Sequence, residues 1–445
     1  MKALKQRKVK KLLLVVLDQF RYDYASYLKK CRNYISSIKL CDANSIPTMT
    51  ESMHTNISTG KYPGKHEIIS DSYYDERKKP SLIPFPSMYQ NLISLIDSGE
   101  INFLSRLAYE KGYLVWCVGG KPKTAQLLTQ LEACNVRVLR DVATNKAGVQ
   151  SIHRRFKKPL EKVIDKQNLR EYRAKKLDDP RLDLWVANLA QVVINNVLKD
   201  ASPWLGIIAF PALDYIGHTY GPASRECITA IKQLDKILFN IFSNPDLNDA
   251  FIIITGDHGC RTIKTAIIMD EEKDPKKFIV YKRYADMFVV EDEIPIGSLI
   301  RKALSHIILD GGMIRFWLQE MNSIARLVEW LDSAKGLGKY LAKICSSLEK
   351  SDLQIIEHSR HRNFGEIFAL AEEDVAFFRR EWFRASRWKI TQGEPLVAGE
   401  EMPLGEHGSI WEEDRYVPLI LSQKIPERKS YENIDIFNIC MKLIA

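Results

Sequence analysis

The sequence predicts an α/β fold with a mostly parallel central sheet flanked by helices, and three apolar runs carry that prediction. "KLLLVVLD" ends at Asp18, "WLGIIAFPALD" ends at Asp214, and "FIIITGDHG" carries Asp257 and His258. Val, Ile and Leu follow one another there without polar alternation, the pattern of strands buried on both faces. Between the runs the apolar spacing changes to three and four. Leu182, Trp185, Val186, Leu189, Val193 and Val197 make one such stripe, and Ile231, Leu234, Leu238 and Ile241 another. Strands alternating with helices favour a parallel sheet covered on both sides. The polar residues past the strands then gather at its carboxyl edge, where open α/β sheets bind ligands.

The elements follow in chain order. "MKALKQRKVKKLLLVVLDQF" has the basic head and apolar run of a leader, but Leu12–Leu17 is too short and no small-residue cleavage site follows. It reads as the first buried strand. "SIPTMTESMHTNISTGKYPGKHEI", Ser45 to Ile68, is crowded with hydroxyls ahead of a Gly-bearing turn. Such stretches are ordinarily loops or caps; the sharper reading makes one hydroxyl a nucleophile, which needs an activator. "YEKGYLVWCVGG" reads as a helix end, a Gly turn and a strand, and "GGMIRFWLQ" and "GEIFALAEEDVAFF" as strands around a helix at Ile324–Leu331. The whole of 1–445 is expected to form one domain, with less regular insertions at about 70–180 and 261–406. No repeat or low-complexity linker divides it.

Composition narrows the class. Apolar residues at 45% and charged residues at 27% suit a globular core and exclude a disordered chain. Eight Cys without a CxxC pattern read as scattered thiols of a reducing compartment. No run reaches the roughly 20 apolar residues of a bilayer span, so the expectation is a cytoplasmic protein with no membrane partner. The net charge of +9 is concentrated in the first eleven residues, Arg154–Lys176 and Arg379–Lys389. These runs are ordinarily solvated faces; they also suit attraction of anionic substrates or nucleic acid. Oligomeric state is not legible.

The chemistry lies in three short motifs. Asp214 and His218 in "DYIGHTYGP" are spaced to face one cation from a helix turn or tight loop. "TGDHG" adds Asp257 and His258, and "LGEHGS" presents His407 between glycines. Any one pair is ordinarily a structural contact. Together with Asp18 they make a mixed Asp and His ligand set that suits zinc or manganese and is too large for one catalytic ion with an open position. Two cations about 4 Å apart would acidify a hydroxyl nucleophile on one side and hold a leaving oxygen on the other. That supplies the missing activator.

The motif order resembles the alkaline phosphatase superfamily, most closely the type I phosphodiesterase/nucleotide pyrophosphatase family. "VVLDQFRYD" is similar to that family's opening strand and metal Asp, "PTMTESMHTNISTGKYPGKHEI" to its nucleophile segment, and "DYIGHTYGP", "TGDHG" and "GEHGS" to its remaining ligand motifs. The resemblance implies an alkaline-phosphatase-like fold with Thr50 as nucleophile. It further implies that Asp18, Thr50, Asp257 and His258 hold one cation and Asp214, His218 and His407 the other, zinc first and manganese as the alternative. The implied reaction is two-metal hydrolysis of a small phosphorylated substrate, at a phosphodiester or pyrophosphate bond, through phospho-threonine. A phosphomonoesterase, phosphonate hydrolase or phosphate mutase is the alternative, and a non-catalytic polyanion-binding protein the reading from another class. The sequence departs from the family at Gln19, Glu51, Ser52 and Met53, where Gly, an aromatic, Pro and Asn are usual. Met53 cannot donate the hydrogen bond of that Asn. His54 and His66, beside the nucleophile, and His358 and His361 read as loop residues.

Overall fold

The computed structural model describes residues 8–75, 82–141, 146–166, 178–198, 201–270, 275–284, 287–347, 349–378, 396–397 and 403–444. Nine strands form the main sheet: β1 (Lys11–Leu17), β2 (Ser37–Asp42), β3 (Leu114–Gly119), β4 (Val136–Asp141), β5 (Lys146–Gln150), β6 (Trp204–Phe210), β7 (Phe251–Gly256), β8 (Tyr416–Leu421) and β9 (Tyr431–Glu432). Their order is β9-β2-β8-β7-β1-β6-β3-β4-β5. The run β7-β1-β6-β3-β4 is parallel, and β8 and β5 join it antiparallel. This is the α/β sheet the apolar runs predict.

Register places the site. Leu17 lies opposite Phe210 on one side and Gly256 on the other. The residues that follow, Asp18 and Asp257, therefore leave the sheet at one level, and the Asp18 N–H still donates to the Phe210 carbonyl at 2.9 Å. Alternate residues of β1 feed two cores. Leu13, Val15 and Leu17 pack with the helices Arg181–Val193 and Arg225–Phe242, while Leu12, Leu14 and Val16 pack towards the helix Ile434–Ile444. Neither face meets water, which is why the strands carry no polar alternation.

The two predicted stripes are helices with distinct ends. Ser224 caps Arg225–Phe242, its hydroxyl accepting from the Cys227 N–H at 3.1 Å. Its Leu234 and Leu238 are buried, so truncating either to Ala is worth about 2–5 kcal/mol. The other stripe runs through Arg181–Val193 into a wider turn at Ile194–Leu198.

Residues after β7 build two further sheets, the first mixed, with Val375–Phe378 parallel to Thr265–Met269, and the second antiparallel. One joins Thr265–Met269, Lys277–Tyr284, Met287–Pro295, Val375–Phe378 and Leu396–Val397; the other joins Leu304–Asp310, Met313–Leu318, Leu341–Ser346 and Ile367–Ala371. Ile267, Phe278, Ile314, Phe316, Leu327 and Ile367 share a core of their own. All eight cysteines are buried and unpaired. Among the described residues no helix is long and apolar enough to cross a membrane. The basic stretch Arg379–Lys389, the first seven residues and much of Arg154–Lys176 lie outside the described residues.

Candidate metal centre

Four sequence-distant segments meet at the carboxyl edge of β1, β6 and β7. Asp18 and Asp257 project directly from strand ends. Asp214 does not: β6 stops at Phe210, and Asp214 occupies the first turn of the helix Ala212–Tyr220, one turn before His218. Helical spacing puts the pair on one face, Asp214 Oδ1 3.2 Å from His218 Nε2. A Cβ at Gly217, between them, would lie 1.6 Å from the Gln19 amide oxygen, so any larger residue would displace the end of that side chain. His407 arrives from the segment after the second sheet, its Nε2 3.7 Å from Asp214 Oδ1 and its ring stacked at 3.8 Å on that of His258.

The hydroxyl-rich stretch is a buried helix, Thr50–Thr59. Most of its hydroxyls back-bond to local carbonyls: Ser52 donates to Pro47, Thr55 to Glu51, Ser58 to Thr55 and Thr59 to Thr55, at 2.7–3.2 Å. Thr50 is different. Its Oγ1 lies 3.2 Å from His258 Nε2, facing the cluster. The local hydrogen bonding expected of the hydroxyls therefore runs along a helix rather than a loop or cap, and Thr50 at its start faces the cluster instead.

Burial and charge set the protonation. Burial, then Asp214 and Asp257, push the Asp18 carboxyl up to about 7 against the pull of Lys121. Burial also opposes ionisation of Asp214 and Asp257, but neighbours win. Lys121, His218 and His407 hold Asp214 well below the usual carboxylate range, and His258, His54 and the Gln19 N–H do the same for Asp257. His218, despite burial, is raised to about 10 by Glu406 and Asp214. His407 goes the other way, lowered by burial, His258 and His218.

Three site residues escaped the sequence reading. Lys121 Nζ lies 2.7 Å from Asp18 Oδ2 and 2.6 Å from Asp214 Oδ2, bridging the two sides of the cluster. The "GGKPK" that carries it follows β3 at the same sheet edge, which was the available signal. His54, discounted as a loop residue, stands on the Thr50 helix with Nδ1 3.2 Å from Asp257 Oδ2. Glu406 Oε2 is 3.7 Å from His218 Nδ1, and Glu406 Oε1 accepts from the His407 N–H at 3.0 Å. Gln19 occupies left-handed backbone, φ +62°, where its N–H donates to Asp257 Oδ1 at 3.0 Å. Met53 points away, buried against the Asn433 amide at 3.2 Å. His66 bonds Asn56, His358 stacks on Tyr62 and His361 pairs with Glu67.

The donor set fits cations. Asp18 Oδ1, Asp214 Oδ1 and Asp257 Oδ2 are buried without a hydrogen bond of good geometry, a costly state that a cation relieves. Ligand atoms of Asp18, Asp257 and His258 lie within 4.8 Å of one another, as do those of Asp214, His258 and His407 and those of His218, Glu406 and His407.

Solved structures of one class of α/β enzymes share this fold. The alkaline phosphatase PafA superposes with a TM-score of 0.62 at 13% identity, over 98% of this chain and 95% of its own. Phosphonoacetate hydrolase from Sinorhizobium meliloti 1021, solved with phosphonoformate, gives 0.61 at 15% identity, over 99% and 97%. Murine ectonucleotide pyrophosphatase/phosphodiesterase 5 gives 0.60 at 16%, over 98% and 95%. Within that class, residues 12–410 match the type I phosphodiesterase/nucleotide pyrophosphatase model, and the chain belongs to that family. GPI ethanolamine phosphate transferase 2 of Candida glabrata is 31% identical over 67 residues, a match spanning 15% of this chain and 8% of that relative's length.

Proposed function

We propose that the protein hydrolyses phosphodiester or pyrophosphate bonds of a small phosphorylated substrate, with Thr50 as nucleophile. The observation that carries this is the Thr50 hydroxyl, turned out of its helix's back-bonding pattern towards buried carboxylates and imidazoles. Asp18, Thr50, Asp257 and His258 would hold one divalent cation and Asp214, His218 and His407 the other, zinc before manganese. Bound there, the cations would lower the pKa of the hydroxyl and neutralise charge on the phosphoryl and leaving oxygens.

The chain's own residues do the rest. Thr50 Oγ1 attacks phosphorus in line, the Oγ1–P bond forms and the bond to the leaving oxygen breaks. Water then cleaves phospho-Thr50 and restores the hydroxyl. His54 and the Gln19 N–H fix the Asp257 carboxylate, and the His407 Nδ1 contact with the Thr48 carbonyl, 2.8 Å, ties one ligand to the nucleophile segment. Lys121 adds a half-buried ammonium that bridges Asp18 and Asp214 within the cluster. A threonine-to-alanine variant of the murine relative, described as inactive, was solved with AMP, which supports both the nucleophile and the substrate class.

The test is turnover of para-nitrophenyl phosphate, bis-para-nitrophenyl phosphate and thymidine monophosphate para-nitrophenyl ester with zinc or manganese. Diester turnover that falls by at least about a thousandfold in Thr50→Ala is expected. Monoester selectivity would move the assignment to a phosphomonoesterase. Metal-loaded protein inert on all three contradicts the reading.

A further inference from the structure

We propose that the amino edge of the main sheet, opposite the candidate centre, docks on the surface of an anionic phospholipid bilayer. The described parts of two of the three basic runs singled out in the sequence converge there. The helix Arg154–Lys166 exposes Arg155, Lys157, Lys158 and Lys162 while burying Leu160 and Ile164. Lys8 and Lys10, also exposed, lead into β1. The Lys10 carbonyl accepts from the Trp204 N–H at 2.8 Å, and the Leu114 N–H donates to the Pro203 carbonyl at 2.9 Å, so β1, β6 and β3 start side by side. Two strand spacings, about 10 Å, separate the Lys10 and Leu114 positions.

Leu114 also lines a cavity of about 410 Å³, with Phe156, Leu160, Val197 and Ala201 as apolar walls and Arg155 and Asn196 as polar lining. The Arg155 guanidinium stacks over Phe156 at 4.6 Å. Acids near this edge are Asp249, paired with Lys11 at 2.6 Å, Asp97 and Glu110, paired with Arg106 at 2.9 and 3.1 Å, and Glu161, which offsets Lys157 at 4.0 Å and leaves Lys8, Lys10, Arg155, Lys158 and Lys162. The surplus is positive.

Basic side chains around an aliphatic cavity match the two parts of a lipid interface, anionic headgroups and acyl chain. Nucleic acid would use the charge and leave the cavity unexplained. A surface contact of this kind needs no spanning helix. It also leaves the carboxyl edge, about 20 Å away along the strands, open to soluble substrate.

The test is sedimentation of the full chain with vesicles of phosphatidylcholine alone and with about 30 mol% phosphatidylserine added. Binding at least about tenfold stronger to the anionic vesicles, weakening as salt rises, is expected. Combined Lys157→Glu, Lys158→Glu and Lys162→Glu substitution should weaken it by about a hundredfold. Phe156→Asn should weaken it with the charge intact; circular dichroism and thermal unfolding show whether each variant is folded. Three results overturn the proposal: no sedimentation of the unaltered protein, equal binding to neutral vesicles, or displacement from anionic vesicles by a single-stranded oligodeoxynucleotide whose own binding ignores Phe156→Asn.

Discussion

The two sides of the cluster use the same residue types and are assembled in opposite ways. Asp214 and His218 share one helix turn, so their meeting follows from local spacing. Asp18, Thr50 and Asp257 come from two strand ends and a helix; nothing local unites them, and the register of β1 against β7 brings the two aspartates level. Their electrostatics differ as well. Lys121 touches both Asp18 and Asp214, but Asp214 has two imidazoles beside it as well, whereas burial and two carboxylates outweigh Lys121 and His258 at Asp18 and push it up to about 7. Similar burial thus ends in shifts of opposite direction, decided by partners.

The comparison can be broken most severely on the strand-built side. Asp257→Asn keeps the volume and removes the charge that His54, His258 and the Gln19 N–H converge on. Turnover should fall by at least about a thousandfold with the fold retained, measured by steady-state kinetics and circular dichroism. A loss below tenfold would remove Asp257 from the centre.

The helix-built side can be sharpened through stability. Asp183 accepts from the Ala212 N–H at 3.0 Å, at the start of the helix that carries Asp214, and burial pushes its carboxyl from 3.8 up to about 7. A raised carboxyl pKa means the folded state binds the proton more tightly. The stabilisation is complete below about pH 4 and is lost as pH rises to 7, up to about 4 kcal/mol. Asp183→Asn lacks that loss, so its advantage in chemical denaturation should grow between pH 5 and 7 and then level. A gap independent of pH would contradict the assignment.

The smallest effect concerns the link between the sides. Lys121 must release Asp18 and Asp214 before cations use both carboxylates. Lys121→Met should tighten zinc or manganese binding by about tenfold in calorimetry; unchanged or weaker binding would show that the ammonium does not compete.

The parallel strands were legible because burial on both faces removes polar alternation, as in β1, β6 and β7. Ser37–Asp42 was not: its half-exposed, mixed pattern takes its pairing from β8, far along the chain. The predicted ligand residues come together, since Asp and His beside glycine and apolar runs leave few other roles. Lys121 and His54 were hidden for a different reason. A lysine after a strand or a histidine on a polar helix is common, and only the approach of Asp18, Asp214 and Asp257 gives either a partner. The family's usual Asn at the Met53 position suggested a gap in the phosphoryl site; the structure turns Met53 into the core and leaves Lys121 as the nearby positive group.

The central claim is that Thr50 forms a covalent phospho-enzyme. The most direct measurement is rapid acid quench of the zinc-loaded protein during diester turnover, followed by peptide mass spectrometry. The account predicts phosphate, or the transferred phosphate monoester, on Thr50. Turnover with Thr50 unmodified at every quench time, and undiminished in Thr50→Ala, would contradict it.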